Sequence, residues 1–402
     1  LLHYYKSWCL IRLGKTAEAQ IAIATAEKEP ADYCFPNALE AIEALQCVVD
    51  FAGKAPKALY YLGNLWYDKR RYPTAIAAWE RSSREDETFP TVWRNLSLAY
   101  FNKMNRPDEA VALLEKAFRL DHTDARVLME LDQLYKRLNR PHIERLCFLE
   151  QHIDIVMTRD DLYLEYVTLL NQTGQYREAI RRIDQRKFHP WEGGEGKVPA
   201  QYQLARLELA KELINRKKYD DALALIDECY IYPTHLGEGK LPGAQENDFN
   251  YYKAYILQQQ GRPEEAHSLF VKACSGNSQP AAAMYYNDQK PDKIFYQGLA
   301  YRKLGEEEKA RSRFNQLITY GEEHLFDRFK MDYFAVSLPD LLIWEDDMDK
   351  KNRIHCNYLM ALGHLGLGNR TKAEHFFDIA ASMDNNHQGV QIHRKLMNTI
   401  LS

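Results

Sequence analysis

Hydrophobic positions recur along this chain three and four residues apart, in stretches separated by short polar turns, and no stretch alternates with the period of two that a strand needs. Leu59, Leu62 and Trp66 fall on one face of a predicted helix, with Gly63 among them, and Ala75 and Trp79 fall on one face of the next. Trp93, Leu96, Ser97 and Tyr100 lead in the same way to Ala110 and Leu114, and Ile294, Gln297, Gly298 and Tyr301 to Ala310 and Phe314. Small residues stand where two helices touch, and large ones fill the gaps between neighbouring pairs. The turns agree: Gly14-Lys15, Asn105-Arg106-Pro107, Gly174-Gln175, Gly261-Arg262-Pro263, Gly305-Glu306 and Gly368-Asn369 put Gly or Asn past one helix and Pro in the first turn of the next. The predicted class is all-α.

A helix pair of this composition repeated about every 34 residues resembles the tetratricopeptide repeat (TPR). The resemblance implies a right-handed superhelical solenoid, a single array over residues 1–402 of about eight or nine helix pairs, which presents a long surface and seldom does chemistry itself. The small residue opening each second helix serves as a ruler: Ala19, Ala75, Ala110, Ala179, Ala222, Ala266, Ala310 and Ala373. From Ala179 to Ala310 the steps lengthen to 43 or 44 residues, predicting extra loop or helix per unit. The unit beginning near Arg126 breaks the rule by placing Glu144 and Arg145 where Ala is expected. Irregular connections fall near 29–55 (with one helix, Asn37 to Phe51), 188–200, 233–248 and 320–352 (an inserted helix, Glu322 to Val336, then an acidic stretch). Residues 388–401 predict a capping helix with Ile392, Leu396 and Ile400 on its apolar face and His393, Arg394 and Lys395 on its polar one. The start at Leu1, inside an apolar helical pattern, reads as a cut edge, with an upstream portion expected.

Composition narrows the partners. With 53 basic and 57 acidic residues the formal net charge is −4, which carries no bias toward nucleic acid or an anionic membrane. No apolar run approaches the length of a membrane span. Seven scattered cysteines without a CxxC pair suit reduced thiols in a cytoplasmic compartment rather than disulfides or zinc.

Information beyond the repeat gathers in two glycine loops. One runs Phe188-His189-Pro190-Trp191-Glu192-Gly193-Gly194-Glu195-Gly196-Lys197-Val198-Pro199, the other His235-Leu236-Gly237-Glu238-Gly239-Lys240-Leu241-Pro242. Both contain Gly-Glu-Gly-Lys, an apolar residue and Pro, and their offset of 43 residues equals the local repeat step, so they are expected side by side. A phosphate cradle is excluded because no Ser/Thr follows the Lys, the loop follows a helix rather than a strand, and Glu195 and Glu238 repel phosphate. Two readings stand. In the structural one the glycines permit tight turns, Glu and Lys pair across the loops and Trp191 plugs a gap between repeats. In the binding one Trp191 is an aromatic platform ringed by His189, Glu192, Glu195, Lys197, His235, Glu238 and Lys240, a mix suited to a carbohydrate or a docked domain.

Other constellations are weaker. Asn64, Asn95 and Arg126 match three positions of the carboxylate clamp with which some TPR proteins hold a peptide terminus, but Tyr60 and Glu130 stand where basic residues are expected; the bland reading is a solvated groove. The C-terminal histidines lack HExxH or other close ligand spacing, with His364 at a core position, and Glu345-Asp346-Asp347-Asp349 lacks the pattern of a calcium loop and reads as a solvated acidic turn. No nucleophile–base set or facing carboxylate pair is assignable. No enzyme activity, cofactor or metal is expected of this chain.

Several motifs together carry a finer resemblance: Asp32-Tyr33-Cys34-Phe35-Pro36, Tyr61-Leu62-Gly63-Asn64-Leu65, Phe89-Pro90-Thr91-Val92-Trp93-Arg94-Asn95-Leu96, the two Gly-Glu-Gly-Lys loops, and Tyr333-Phe334-Ala335-Val336-Ser337-Leu338-Pro339-Asp340. With these the chain resembles the C-terminal half of large bacterial TPR proteins whose N-terminal half is an uncharacterised β-sandwich similar to galactose-mutarotase-like carbohydrate-active folds. That likeness implies a scaffold whose partners are a protein or peptide, or the missing N-terminal domain, or a carbohydrate if the module serves an enzyme.

Overall fold

In the computed structural model, which describes residues 1–283, 288–328 and 343–397, every regular element is a helix. Contacts gather the chain into two compact units. Unit 1 comprises Leu1–Leu138 and, from far along the sequence, residues 343–345; unit 2 comprises the described residues of 139–341 and 346–402. The single array expected over 1–402 is thus partitioned, although the repeat continues within each unit.

Unit 1 contains α1 (Leu2–Arg12), α2 (Thr16–Lys28), α3 (Glu40–Ala52), α4 (Pro56–Asp68), α5 (Tyr72–Glu85), α6 (Pro90–Met104), α7 (Pro107–Leu120) and α8 (Ala125–Arg137). Proline opens α4, α6 and α7, where its missing N–H costs nothing, and Asn105 ends α6 in the left-handed conformation. The small residues act as the pattern implies. A Cβ on Gly63 would lie 2.2 Å from the Trp79 indole, so α4 and α5 can approach only because that position has no side chain. Ser97 takes the equivalent place in α6 and turns its hydroxyl to use, donating to the Ala110 carbonyl of α7 at 2.6 Å. The helix of the first irregular connection begins at Glu40 rather than Asn37 and is no mere linker: Ala41, Ala44, Leu45, Val48 and Val49 are buried in the core with α4.

Unit 2 contains α9 (His142–Gln151), α10 (Ile153–Val156), α11 (Asp160–Gln172), α12 (Tyr176–Asp184), α13 (Lys197–Asn215), α14 (Tyr219–Cys229), α15 (Asn247–Gln259), α16 (Pro263–Ala273), α17 (Pro291–Lys303), α18 (Glu307–His324), α19 (Met348–Gly366), α20 (Arg370–Met383) and α21 (Gln388–Leu396). The longer repeat steps are spent on the connections before α13, α15 and α17 and on the length of α13 itself. Gly298 and Gly366 both press on Phe314, where an added Cβ would come within 2.4 Å of the ring. His364 fills its core position by stacking on Phe376, with ring centroids 5.5 Å apart.

Three expectations need correction. The segment 322–336 does not start a separate helix: Glu322 and His324 close α18, which runs on without a break, and the remainder from 329 lies outside the described residues. The acidic turn is not merely solvated. Asp347 caps α19 by accepting from the Lys350 amide, and Glu345 pairs with Lys103 of unit 1. In the C-terminal helix, described here to Met397, His393 belongs to the buried face with Val390 and Leu396, while Arg394 and Lys395 stay outside. Among the described residues no helix is long and apolar enough to cross a membrane.

Candidate functional site

In a TPR pair the first helix lines the inner face. In unit 1 those helices include α4, α6 and α8, and the clamp candidates lie on them, already paired. Asn95 donates to the Asn64 side chain at 3.0 Å, and Asn64 also accepts from the Trp79 indole at 3.1 Å. Arg126 bonds Glu130 at 2.9 Å, and Arg94 holds the same carboxylate through two nitrogens at 2.7 and 2.5 Å. Glu130 is fully buried. A carboxylate clamp waits for an acid from a ligand; here Glu130, the residue out of place in that pattern, supplies the acid from within the chain.

The same face is occupied further along by residues 343–345. Asn102 donates to the Ile343 carbonyl at 2.9 Å and accepts from the Glu345 amide at 3.0 Å, one side-chain amide bracketing Trp344. Trp344 is 1% exposed; its indole N–H donates to the Glu130 carbonyl at 3.2 Å, and its ring meets Phe101 edge to face with centroids 5.1 Å apart. Arg137 donates to the Trp344 carbonyl at 3.2 Å. Burial alone would lower the Lys103 ammonium; its bond to Glu345 outweighs that and holds it above the usual range. The groove residues that contact 343–345 through these bonds come from α6 and α8, with Tyr72 of α5 under Lys103, and the sequence reading missed the occupant because nothing local marks Trp344 as buried.

In unit 2 the inner face is filled by α21 and the turn before it. Gln388 exchanges bonds with Gln201 of α13, His393 lies against Tyr358 of α19 and Phe295 and Tyr296 of α17, and Lys395 reaches Tyr176. Arg145 explains the broken repeat rule: where Ala was expected, a buried guanidinium donates to Asn386 and to Glu165, each at 2.7 Å, and anchors the turn that leads into α21. Around His393 sits a buried polar set: Glu208 with Lys211 at 2.5 Å, Asp248 with Lys293 at 2.6 Å, and the hydroxyls of Tyr252 and Tyr296 at 3.3 Å. Burial pushes His393 and His355 down to about 4 each, since neither can take up a proton's charge cheaply there. Among the described residues no three His, Cys, Asp or Glu gather as a metal site.

The glycine loops of unit 2 do meet. Phe188 N–H donates to the His235 carbonyl at 2.8 Å, and Gly196 N–H to the Glu238 carboxylate at 2.7 Å. Gly237, at φ +76°, also leaves no room for a Cβ, which would lie 2.7 Å from the Phe188 carbonyl oxygen. The polar candidates are engaged close to home. The His189 ring and amide both contact Asp160, Glu195 accepts from Gly193 N–H at 3.2 Å, His235 lies 3.8 Å from Asp184, and Lys240 bonds the Tyr230 carbonyl and Glu246. Burial pushes the Asp160 carboxyl up, but the His189 amide and the Arg186 guanidinium outweigh it and hold it below the usual range. Burial raises Glu238, and nearby Glu195 adds to the effect. Trp191 is half-buried with its ring against Gly194, while Glu192 and Lys197 are exposed. Beyond the second loop lies a cavity of about 390 Å³ lined by the amides of Gln245, Asn247, Asn250, Asn277 and Gln289 together with Ser275 and the charged Glu246 and Lys272.

Comparison with known proteins agrees with this geometry. Tetratricopeptide-repeat profiles match residues 90–124, covering α6 and α7, and residues 294–320, covering most of α17 and α18. Similar solved structures include a tetratricopeptide repeat protein from Parabacteroides merdae, at 15% identity over 75% of this chain and 99% of that one with a TM-score of 0.30. The Naa15/Naa10 assembly bound to HypK is similar at 13% identity, over 89% of this chain and 63% of that one, with a TM-score of 0.40. The apo quorum sensor NprR from B. thuringiensis is similar at 14% identity, over 85% and 81%, with a TM-score of 0.29. The chain therefore carries tetratricopeptide repeats, with a match in each of its two units.

Proposed function

We propose that this chain is a non-catalytic, cytoplasmic scaffold that binds protein or peptide segments on the inner faces of its repeats. The observation that carries the reading is the seat of residues 343–345, where α6 and α8 hold a non-helical stretch of chain through backbone bonds, a buried side chain and an ion pair. Tetratricopeptide arrays generally work by binding rather than catalysis. The direct test is to probe the purified chain against an immobilised peptide array and a glycan array. Retention of peptides, reduced by Asn102→Ala, supports the scaffold; absence of peptide binding with an intact fold overturns it.

A second reading rests on the paired glycine loops and the adjacent amide-lined cavity. Half-buried Trp191, the loop residues His189, Glu192, Glu195, Lys197, His235, Glu238 and Lys240, and the amides of the cavity with its Glu246 and Lys272 supply the aromatic and polar groups that suit a sugar, as an accessory module of a carbohydrate-active enzyme needs. Glycan retention lost in Trp191→Ala would favour this reading over the first.

A further inference from the structure

We infer that the α6–α8 face of unit 1 is a tryptophan-reading groove that accepts, from a partner protein, a non-helical segment of apolar residue, tryptophan and acidic residue in exchange for the chain's own residues 343–345. The inference rests on the scaffold reading and specifies its ligand.

The seat has the anatomy of linear-peptide recognition rather than of helix packing. Toward this segment Asn102 bonds only backbone, accepting an N–H and donating to a C=O on either side of one residue, so it fixes the path of the chain without regard to sequence. Selection falls on the residue between. Its pocket offers the Phe101 ring edge and, at 3.2 Å, a carbonyl acceptor for an indole N–H, which among the common aromatic side chains only tryptophan supplies. The position after it faces Lys103, which selects an acid. Arg94 and Arg126 clamp Glu130 from both sides, and Glu130 supplies the pocket's carbonyl, so this wall is built by the repeats themselves before any occupant arrives.

The present occupant is separable in sequence from its seat. Residues 343–345 belong to no helix, lie more than 200 positions from Asn102 and Glu130, and among the described residues their bonds gather around one anchor, Trp344. A partner presenting the same triplet makes the same bonds. It competes with a segment tethered at an effective concentration of roughly the millimolar range, so the cis segment sets a threshold rather than a barrier.

The test uses the full chain and a fluorescein-labelled peptide with the sequence from Ile343 to Asp349. Trp344→Ala empties the pocket; Glu345→Lys, at a half-exposed side chain, loosens the segment without touching packed residues. Fluorescence anisotropy should show the Trp344→Ala chain binding the peptide at least about tenfold more tightly than the unsubstituted chain, with a smaller gain for Glu345→Lys. Adding Asn102→Ala to either should abolish the gain, and a peptide with alanine in place of tryptophan should not bind. If both variants keep the parent's helical circular dichroism and bind no more tightly than the parent, the inference fails; peptides of other sequence retained on the array would then leave the scaffold reading standing. Concentration-dependent dimers of the parent that vanish in Trp344→Ala would make a second copy the occupant and also overturn it.

Discussion

Both units fill their own inner face, yet with different chemistry. Unit 2 does it with a helix: α21 buries His393 among Tyr358, Phe295 and Tyr296, and its leading turn is anchored by the buried Arg145. Among the described residues unit 1 does it with the non-helical stretch 343–345 around one tryptophan, bonded through its backbone to Asn102. The first occupant is part of a core, since removing any partner strands a buried polar group or a charge. The second is held as a ligand is held. Among the described residues, therefore, the face available for exchange is that of unit 1, and the face of unit 2 is structural.

The contrast can be broken at its strongest point first. Arg145→Ala removes a buried guanidinium and leaves Glu165 and Asn386 without it, a change that typically costs about 3–5 kcal/mol. Denaturant unfolding should show a loss of this size in unit 2, with hydrogen exchange of α21 rising and that of α4 and α5 unchanged. Next comes acid. His355 and His393 are held down at about 4 in the folded chain against 6.5 unfolded, so above pH 6.5 both states are neutral and no stability is lost. As pH falls from 6.5 toward 4 the unfolded chain takes up protons that the folded one refuses, and stability drops by about 3 kcal/mol per histidine. Lys211, Glu208 and Asp248 are the charged groups that face His393. Thermal melts from pH 7 to 4 should show the loss in unit 2, and His393→Phe should remove about half of it.

Two tryptophans of unit 1 differ in turn. Trp79→Ala empties a repeat core and should cost about 3–5 kcal/mol. Trp344→Ala should cost only about 1–2 kcal/mol, because the segment leaves and water refills the groove rather than a sealed void remaining. Hydrogen exchange should then report rapid exchange at residues 343–347 with the repeat helices still protected. The smallest change is Glu345→Lys, at most about 1 kcal/mol and weaker in high salt, since the pair is partly exposed. Equal losses from Trp79→Ala and Trp344→Ala would erase the distinction between core and ligand.

Much of the architecture was legible in the sequence. Gly63 against Trp79 and Gly298 against Phe314 follow from the spacing of small and large residues, and the offset of the glycine loops foretold that they would lie together. What misled was polarity taken residue by residue. Arg145 looked like a damaged repeat and is an anchor; His393 looked like solvent face and is core; Glu130 looked like a defect in a clamp and is the acid that neutralises two arginines. Arg145 meets Asn386 and His393 meets Tyr358 from other elements along the chain, and Glu130 adds Arg94 of α6 to its neighbour Arg126; no local pattern records those distant partners.

The sequence by itself determined the helices and their pairing, because amphipathic periodicity and a missing side chain at the crossing act over a few turns of chain. Only the tertiary structure decided what fills the inner faces. Ile343-Trp344-Glu345-Asp346-Asp347 reads alone as an acidic turn, and becomes a seated segment only because Asn102, Phe101 and Glu130 present a matching backbone bracket, ring and carbonyl from more than 200 positions away.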